Sequence, residues 1–343
     1  MAELHSSPTS DEKLMDAARE GDRGAFDRLV SPYYGELHAH CYRMLGGVHD
    51  AEDALQDALV GAWRGLEGFE GRSSVRSWLY RIATNSCLKL IKKRPKRLLS
   101  ADYHPARSAT DDLGRPAAEE FWMEPYPESA WGAEPADPQV VYELRESVEL
   151  AFVAALQHLP ATQRAVLIMR EVLAFSAAEV AAALDTSVAS VNSALQRARG
   201  SLDQRVSGQS QQATLRELGD EACRALVTDF VSAWERADVP ALVGMLAENA
   251  RLTMPPLPAW FDGPEDIGTF LAERIFDRSW RMVPASANGQ LAFVGYRASD
   301  DGARFLLAGL NVVTLRGDRI LEITSFLDPR MIEAFGLPAE LTG

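Results

Sequence analysis

Residues 76–97 carry eight Lys/Arg and no Asp/Glu, in a chain of 343 residues whose net charge is −14. Such a run suits one chemistry, the neutralisation of closely spaced anions, and is a local electrostatic footprint for nucleic acid. Within it Trp78, Leu79, Ile82, Ala83, Cys87 and Leu90 recur at near-helical spacing, which predicts a helix with cations among its polar positions and crowded at its C-terminal end. The plainer alternative is a solvated helix whose basic end answers the helix dipole. A second polar set is Ser187, Ser190, Asn192, Ser193, Gln196, Arg197 and Arg199. Hydroxyls, amides and guanidinium groups can bond base edges or phosphates, or can simply face water on a helical hairpin. A third set, Asp50, Glu52, Asp53 and Asp57 with Gln56 among them, makes a carboxylate-rich helical surface, which serves a basic partner or solubility alone. Asp229, Asp262 and Asp328 lie later in the chain, but no spacing marks a catalytic pair, and the last histidine is His158.

The elements that must position these groups fall into blocks, and the length suggests two or three domains. Residues 12–97 read as helices. In the stretch HDAEDALQDALVGAWRGL, Ala51, Ala54, Leu55, Ala58, Leu59 and Trp63 share one side. Residues 98–142 lose periodicity and turn acidic and proline-rich. This is a linker, and its isolated aromatics, Phe121, Trp122, Tyr126 and Trp131, mark a docking element. Residues 143–205 are helical again and end in a helix, short turn and helix, with Val180 and Leu184 expected to pack against Val188, Val191, Leu195 and Leu202. The polar stretch SGQSQQ reads as a second linker. Residues 218–337 open with two helices and continue as strands, an α+β pattern. Apolar content is 47%, with no run of membrane-span length. The first residues, MAELHSSPTSDEK, lack the features of a signal peptide. Cys41, Cys87 and Cys223 are scattered and odd in number, which fits a reducing cytoplasm and gives no zinc or disulfide framework. A cytoplasmic protein is expected, with no membrane contact, metal or cofactor.

In order along the chain, HDAEDALQDALVGAWRGLEGF, RSSVRSWLYRIATNSCLKLIKKR and LPATQRAVLIMREVLAFSAAEVAAALDTSVASVNSALQRARGSL resemble an extracytoplasmic-function sigma factor of bacterial RNA polymerase. The resemblance implies two all-α sigma domains, the second a helix-turn-helix, with core RNA polymerase (its β′ and β subunits) and promoter DNA as partners. It implies that Asp50, Glu52, Asp53, Gln56 and Asp57 dock on a β′ coiled coil through charge complementarity. It implies strand opening by the basic segment, with Arg76, Arg81, Lys89, Lys92, Lys93 and Arg94 on phosphates and Asn85 on a base edge. Trp78 is a stacking candidate there, although a Trp in an amphipathic helix is more often core. The helix from Ser187 to Arg199 then reads the −35 element in the major groove. This chain departs from the family at Asn192 and Ala194, where basic residues are common, which weakens phosphate attraction.

The last block resembles the SnoaL-like fold, a curved sheet and helices around a conical pocket, and FWMEPYP in the linker resembles a Trp-x-Glu-Pro-x-Pro element of sigma factors with this extension. Met254, Pro255, Trp260 and Phe261 then line a pocket mouth or pack an interdomain face. SnoaL-like folds host enzymes and binders alike, so the fold leaves activity open; the expectation is a non-enzyme that regulates how the two DNA-reading domains are placed. A pocket ligand and a separate anti-sigma protein stay open. The alternatives are a DNA-binding regulator independent of polymerase and a SnoaL-like enzyme with a DNA-binding part.

Overall fold

The computed structural model describes residues 10–71, 73–116, 122–131, 138–205 and 208–342. Phe121 lies outside them. The first helical block comprises α1 (Ser10–Arg19), α2 (Arg23–Val30), α3 (Tyr34–Leu45), α4 (Val48–Gly65) and α5 (Val75–Ile91). Its buried face is the one the periodicity marks: Ala51, Ala54, Leu55 and Ala58 of α4 are all buried. α3 stops where Gly46 adopts a left-handed φ of 74°, a conformation that glycine takes without penalty. Ser74 starts α5 by accepting a hydrogen bond from the Ser77 amide.

The linker is ordered along most of its described length. It forms α6 (Ser100–Tyr103), an extended strap through residue 116, and a buried segment that includes Trp122, Met123, Glu124 and Tyr126. Full burial of Met123 alone contributes roughly 1.5–3 kcal/mol, which is why this stretch docks instead of wandering. α7 (Pro138–Glu146) leads into the second helical block: α8 (Leu150–Gln157), α9 (Ala161–Leu167), α10 (Ala177–Ala183) and α11 (Val188–Asp203). SGQSQQ is not a free linker through its length: Ser210 caps α12 (Gln211–Glu235), and Gln211 and Gln212 are buried. Gln211 exchanges two hydrogen bonds with the Leu315 backbone. A polar pair can end as structure when both amide ends find backbone partners.

The C-terminal domain places α12, α13 (Val239–Gly244) and α14 (Pro264–Phe270) against a curved sheet. Its strands are β1 (Leu246–Thr253), β2 (Trp260–Asp262), β3 (Trp280–Ala287), β4 (Gln290–Ala298), β5 (Arg304–Arg316) and β6 (Arg319–Phe326). They run in the order β2-β1-β6-β5-β4-β3, with β7 (Glu340–Thr342) added on β5. The β1–β6 pair is parallel and the others are antiparallel. α15 (Pro329–Glu333) follows β6. The cone has its own core, in which Phe230 stacks on Phe293 at 4.3 Å. A second, larger cluster runs without a break through both helical blocks, the buried linker segment and the outer side of the sheet at Ala287, Ala292 and Val294.

Candidate nucleic-acid interface and its interdomain contacts

The basic helix α5 divides its charges. Arg81, Asn85 and Lys89, four residues apart, are exposed along one side, and Lys92 and Lys93 are exposed just past its C-terminus. These groups form one continuous polar, cationic strip. Trp78 does not belong to it: only 5% exposed, it packs its ring against Phe69 at 4.9 Å between centroids. In this arrangement that tryptophan is part of the core. Arg76 is half-buried; it donates to Glu36 at 3.1 Å and lies over the rings of Tyr80 and Phe175. Phe175 belongs to the second helical block, so Arg76 sits in the seam between blocks. Arg94 is exposed but ion-paired with Asp50 and, at 3.7 Å, with Asp53.

Asp50 is a correction to the carboxylate surface. It is 4% exposed, held by Arg94 and by Arg97 at 2.8 Å. Arg97 is itself buried; it also reaches Glu124 at 2.9 Å and the Trp122 carbonyl at 2.7 Å. It crosses directly over Gly47, where a Cβ would lie 2.6 Å from the guanidinium carbon. Glu52, Asp53, Gln56 and Asp57 do remain exposed along α4. Glu124 completes the cluster from the linker: its Oε2 accepts from the Val48 amide at 2.6 Å and the His49 amide at 3.1 Å, capping α4 from outside. Burial alone would push its carboxyl up, but His49 and Arg97 outweigh that and hold it below the usual carboxylate range.

The second polar set is exposed in full: Ser187, Ser190, Asn192, Ser193, Gln196, Arg197 and Arg199 all face solvent on α11. Val191, Ala194, Leu195 and Ala198 form the opposite, buried side. Ala194 therefore faces the protein, whereas Asn192 faces out. Ser187 caps α11 by accepting from the Ser190 amide, and the two hydroxyls lie 2.9 Å apart. Arg199 is paired with Glu171 at 2.6 Å. Val188 corrects the expected packing: it is 44% exposed beside Ser187.

The two polar helices do not belong to independent bodies. α5 packs against α9 and α10, and Ser77 donates to Glu179 at 3.3 Å. Buried Arg164 donates to the Met44 carbonyl of the first block and, at 2.9 Å, to the Gln157 carbonyl of its own. Across the same seam Arg43 donates to Ser147 at 2.7 Å. Asn288 closes the arrangement from the C-terminal domain. It stands at the tip of the β3–β4 hairpin with φ 56°, followed by Gly289 with φ 67°. Its amide nitrogen donates to Tyr42 Oη and to the Val148 carbonyl, both at 2.8 Å, and its Oδ1 accepts from the Tyr126 amide at 2.8 Å. Tyr42 Oη donates onward to the Glu124 carbonyl, and Tyr126 Oη lies 2.9 Å from His38 Nδ1. One fully buried side chain thus joins the first block, the linker and the second block. Gln290 and Gln212 add contacts to the Leu150 amide and to Glu149. Sequence reading passed over Asn288 and Gln290; the only signal was Asn-Gly between two strands, which marks a hairpin but not what its tip touches.

In the cone, Met254 lines a cavity of about 120 Å³ together with Trp234, Leu257, Trp280, Asn311, Ser325 and others. Trp260 holds the linker instead, donating from Nε1 to the His104 carbonyl at 2.6 Å. Phe261 is core, stacked on Phe270 at 4.5 Å, and Pro255 is buried with its carbonyl accepting from the Leu327 amide. Asp229, Asp262 and Asp328 are not among the cavity's lining residues.

The chain matches the family models for Sigma-70 region 2 over residues 29–97, Sigma-70 region 4 over residues 149–202 and the SnoaL-like domain over residues 227–323. The ECF RNA polymerase sigma factor SigG of Mycobacterium tuberculosis is 41% identical over 333 residues, 93% of this chain and 85% of that protein. SigW of Bacillus subtilis, also an ECF RNA polymerase sigma factor, is 29% identical over 190 residues, 55% of this chain and 93% of its own length. The crystal structure of the M. tuberculosis extracytoplasmic function sigma factor SigJ superposes with a TM-score of 0.56 at 20% identity, covering 90% of this chain and 99% of that one. It shares the fold.

Proposed function

This chain belongs to the extracytoplasmic-function RNA polymerase sigma factors, and on that premise we propose how its parts divide the work. As a sigma factor it binds core RNA polymerase and directs promoter recognition and initiation. Residues 12–97 act as the polymerase-binding and −10 domain, residues 143–205 as the −35 domain, and residues 218–337 as a regulatory domain joined through the linker 98–142. Arg81, Lys89, Lys92 and Lys93 bind phosphates and Asn85 meets a base of the opened strand. Ser190, Asn192, Ser193, Gln196 and Arg197 read or flank the −35 major groove. Glu52, Asp53, Gln56 and Asp57 dock on a β′ coiled coil, while the β subunit engages the rest of the factor. The protein works in the cytoplasm; among the described residues no helix is long and apolar enough to cross a membrane.

The C-terminal domain is a holder, not a catalyst. The observation that carries this is Asn288, buried and bonded to both DNA-reading blocks at once. Promoter elements centred near −10 and −35 lie about 25 base pairs apart, roughly 85 Å of duplex at ~3.4 Å per pair. Two domains that share one core cannot serve both, so the closed arrangement is the inactive one and must open on polymerase.

The test is promoter-dependent initiation with purified core polymerase, alongside the full-length variant Glu52→Lys/Asp53→Lys. Wild-type protein should bind core and, once open, initiate specifically. The variant should lose at least tenfold in core affinity with its thermal stability intact. A protein that binds promoter DNA equally well without core, and a variant that keeps its core affinity, would instead identify a regulator independent of polymerase.

A further inference from the structure

Among the described residues three arginines are buried, Arg43, Arg97 and Arg164, and the chain compensates them unequally. Arg97 has two carboxylates in reach, Asp50 at 2.8 Å and Glu124 at 2.9 Å, and the Trp122 carbonyl besides. Arg164 is met by neutral acceptors, but by four of them: the carbonyls of Met44, Gln157 and Leu159 and the Gln157 side-chain oxygen. Arg43, 1% exposed, donates to one neutral hydroxyl, Ser147 Oγ at 2.7 Å, and its Nε has no acceptor among the described residues. Glu36, the acid that bears on it, is bonded instead to Arg76 and to Tyr80 Oη, each at 3.1 Å. Burial outweighs these neighbours and holds the guanidinium's pKa below the usual arginine value. An arginine does not shed its proton in a protein, so the charge stays and its lost hydration is offset by a single hydroxyl.

The groups around Arg43 come from three parts of the chain. Its own helix α3 and Tyr80 of α5 belong to the first block, Tyr126 to the linker, and Ser147 to the turn between α7 and α8 that leads into the second block. The hydroxyl of Ser147 sends its own proton to the Leu144 carbonyl at 2.7 Å, so it serves Arg43 purely as an acceptor. Part of the burial of this cation is therefore made by the assembly of the blocks and not by the first block alone.

We propose that Arg43 opposes the closed arrangement from within: its guanidinium loses water without gaining a counter-charge when the second block and the linker close over α3, and regains water when they part. The Arg43–Ser147 hydrogen bond spans the seam, yet it does not hold the seam shut, because a neutral hydroxyl does not offset the desolvation of a cation. Asn288 and the shared apolar core hold the blocks together, and Arg43 sets how little more is needed to separate them. The consequence for transcription rests on the reading that the closed arrangement is inactive and opens on polymerase; the effect on closure itself is measured on the protein alone.

The two ends of this one hydrogen bond should give opposite signs, which an ordinary hydrogen bond would not. Opening is read on the full-length protein as hydrogen exchange at the Tyr126 and Asn288 amides, which bond the linker to the hairpin tip. Arg43→Met keeps an unbranched side chain of similar reach and leaves Ser147 its Leu144 partner. Exchange in Arg43→Met should slow by about tenfold or more, the scale on which an apolar replacement of a buried charge stabilises an assembly. Ser147→Ala strands the guanidinium and should speed exchange by about tenfold, and the double variant should exchange like Arg43→Met. Arg43→Gln removes the charge but keeps an amide donor, and should slow exchange as Arg43→Met does, so the sign is decided even if one of the two fails to fold. With core polymerase, Arg43→Met should need more polymerase than wild type for half-maximal initiation and Ser147→Ala less. The proposal is overturned if neither neutral variant slows exchange, or if Ser147→Ala slows it. The expected signs of exchange in a protein that does not bind core would uphold the action of Arg43 on closure and overturn the sigma-factor reading instead.

Discussion

Glu149 shows how much one buried carboxyl can decide. It precedes α8 and its Oε1 accepts from the Gln212 amide at 2.8 Å, so it ties the second helical block to the C-terminal domain. Burial pushes its carboxyl up to about 7, with Glu146 adding to the rise and the Gln211 and Gln212 amides opposing it. A carboxyl whose folded value lies above its unfolded one favours the folded contact while it is neutral. That contribution is complete below the ordinary value of 4.5 and is lost as pH rises through about 7. Glu149→Gln keeps an acceptor and removes the titration. The two proteins should match near pH 4.5, and the variant should be the more stable at pH 8, by no more than about 3 kcal/mol at ~1.4 kcal/mol per pKa unit. Thermal melts across that range decide it: a difference that does not change with pH would remove Glu149 from the account. Lys92 and Lys93 test the other kind of charge, exposed and past the end of α5. Replacing both with Ala should weaken the promoter complex and reduce the slope of log affinity against log salt by about 2, close to 0.9 per phosphate contact. An unaltered slope would make them a helix cap only.

At the scale of elements, what the sequence made legible was whatever is local. Near-helical spacing located α4 and α5, alternation located β1, β3, β4, β5 and β6, and the turn between α10 and α11 was marked by its short polar break. The exposed face of α11 follows from the same arithmetic, since a buried stripe at Val191, Ala194, Leu195 and Ala198 leaves Asn192, Ser193, Gln196 and Arg197 outside. What was not legible depends on residues far apart in the chain. Asp50 looks like its neighbours Glu52 and Asp53 in any window of sequence; it is buried because Arg97, 47 positions on, folds back over Gly47. Trp78 is equally able to stack on a base or on Phe69 until the loop after α4 brings Phe69 to it. The three-residue strands β2 and β7 carry too few side chains for a pattern to show. The Trp-x-Glu-Pro-x-Pro element could be singled out in the linker, but its use could not: Glu124 serves as an external cap for α4, and Tyr126 meets His38 and Asn288.

At the scale of the molecule the question is whether the closed arrangement is held by its shared core or by a few polar contacts at the seam. Apolar burial joins the blocks, but under the proposed opening on polymerase it does not by itself fix which state they prefer. Asn288 is positioned to decide it, with its three side-chain hydrogen bonds reaching three separate parts of the chain. Removing a side chain that satisfies buried partners costs more than the bonds themselves, since Tyr42 Oη, the Val148 carbonyl and the Tyr126 amide lose a partner while still buried. Asn288→Gly is the informative change: it accepts the positive φ that this position requires, and it retains the backbone donation from residue 288 to the Tyr126 carbonyl. The cone should survive, because its core lies on the other face of the sheet. A loss of about 2–4 kcal/mol shifts the closed–open balance roughly 30- to 1000-fold toward open. The variant should therefore scatter as a more extended particle and initiate at lower polymerase concentration than wild type. An unchanged radius of gyration together with unchanged initiation would place the hold in the shared apolar core, and the hairpin would then be a passenger on the packing of the two blocks.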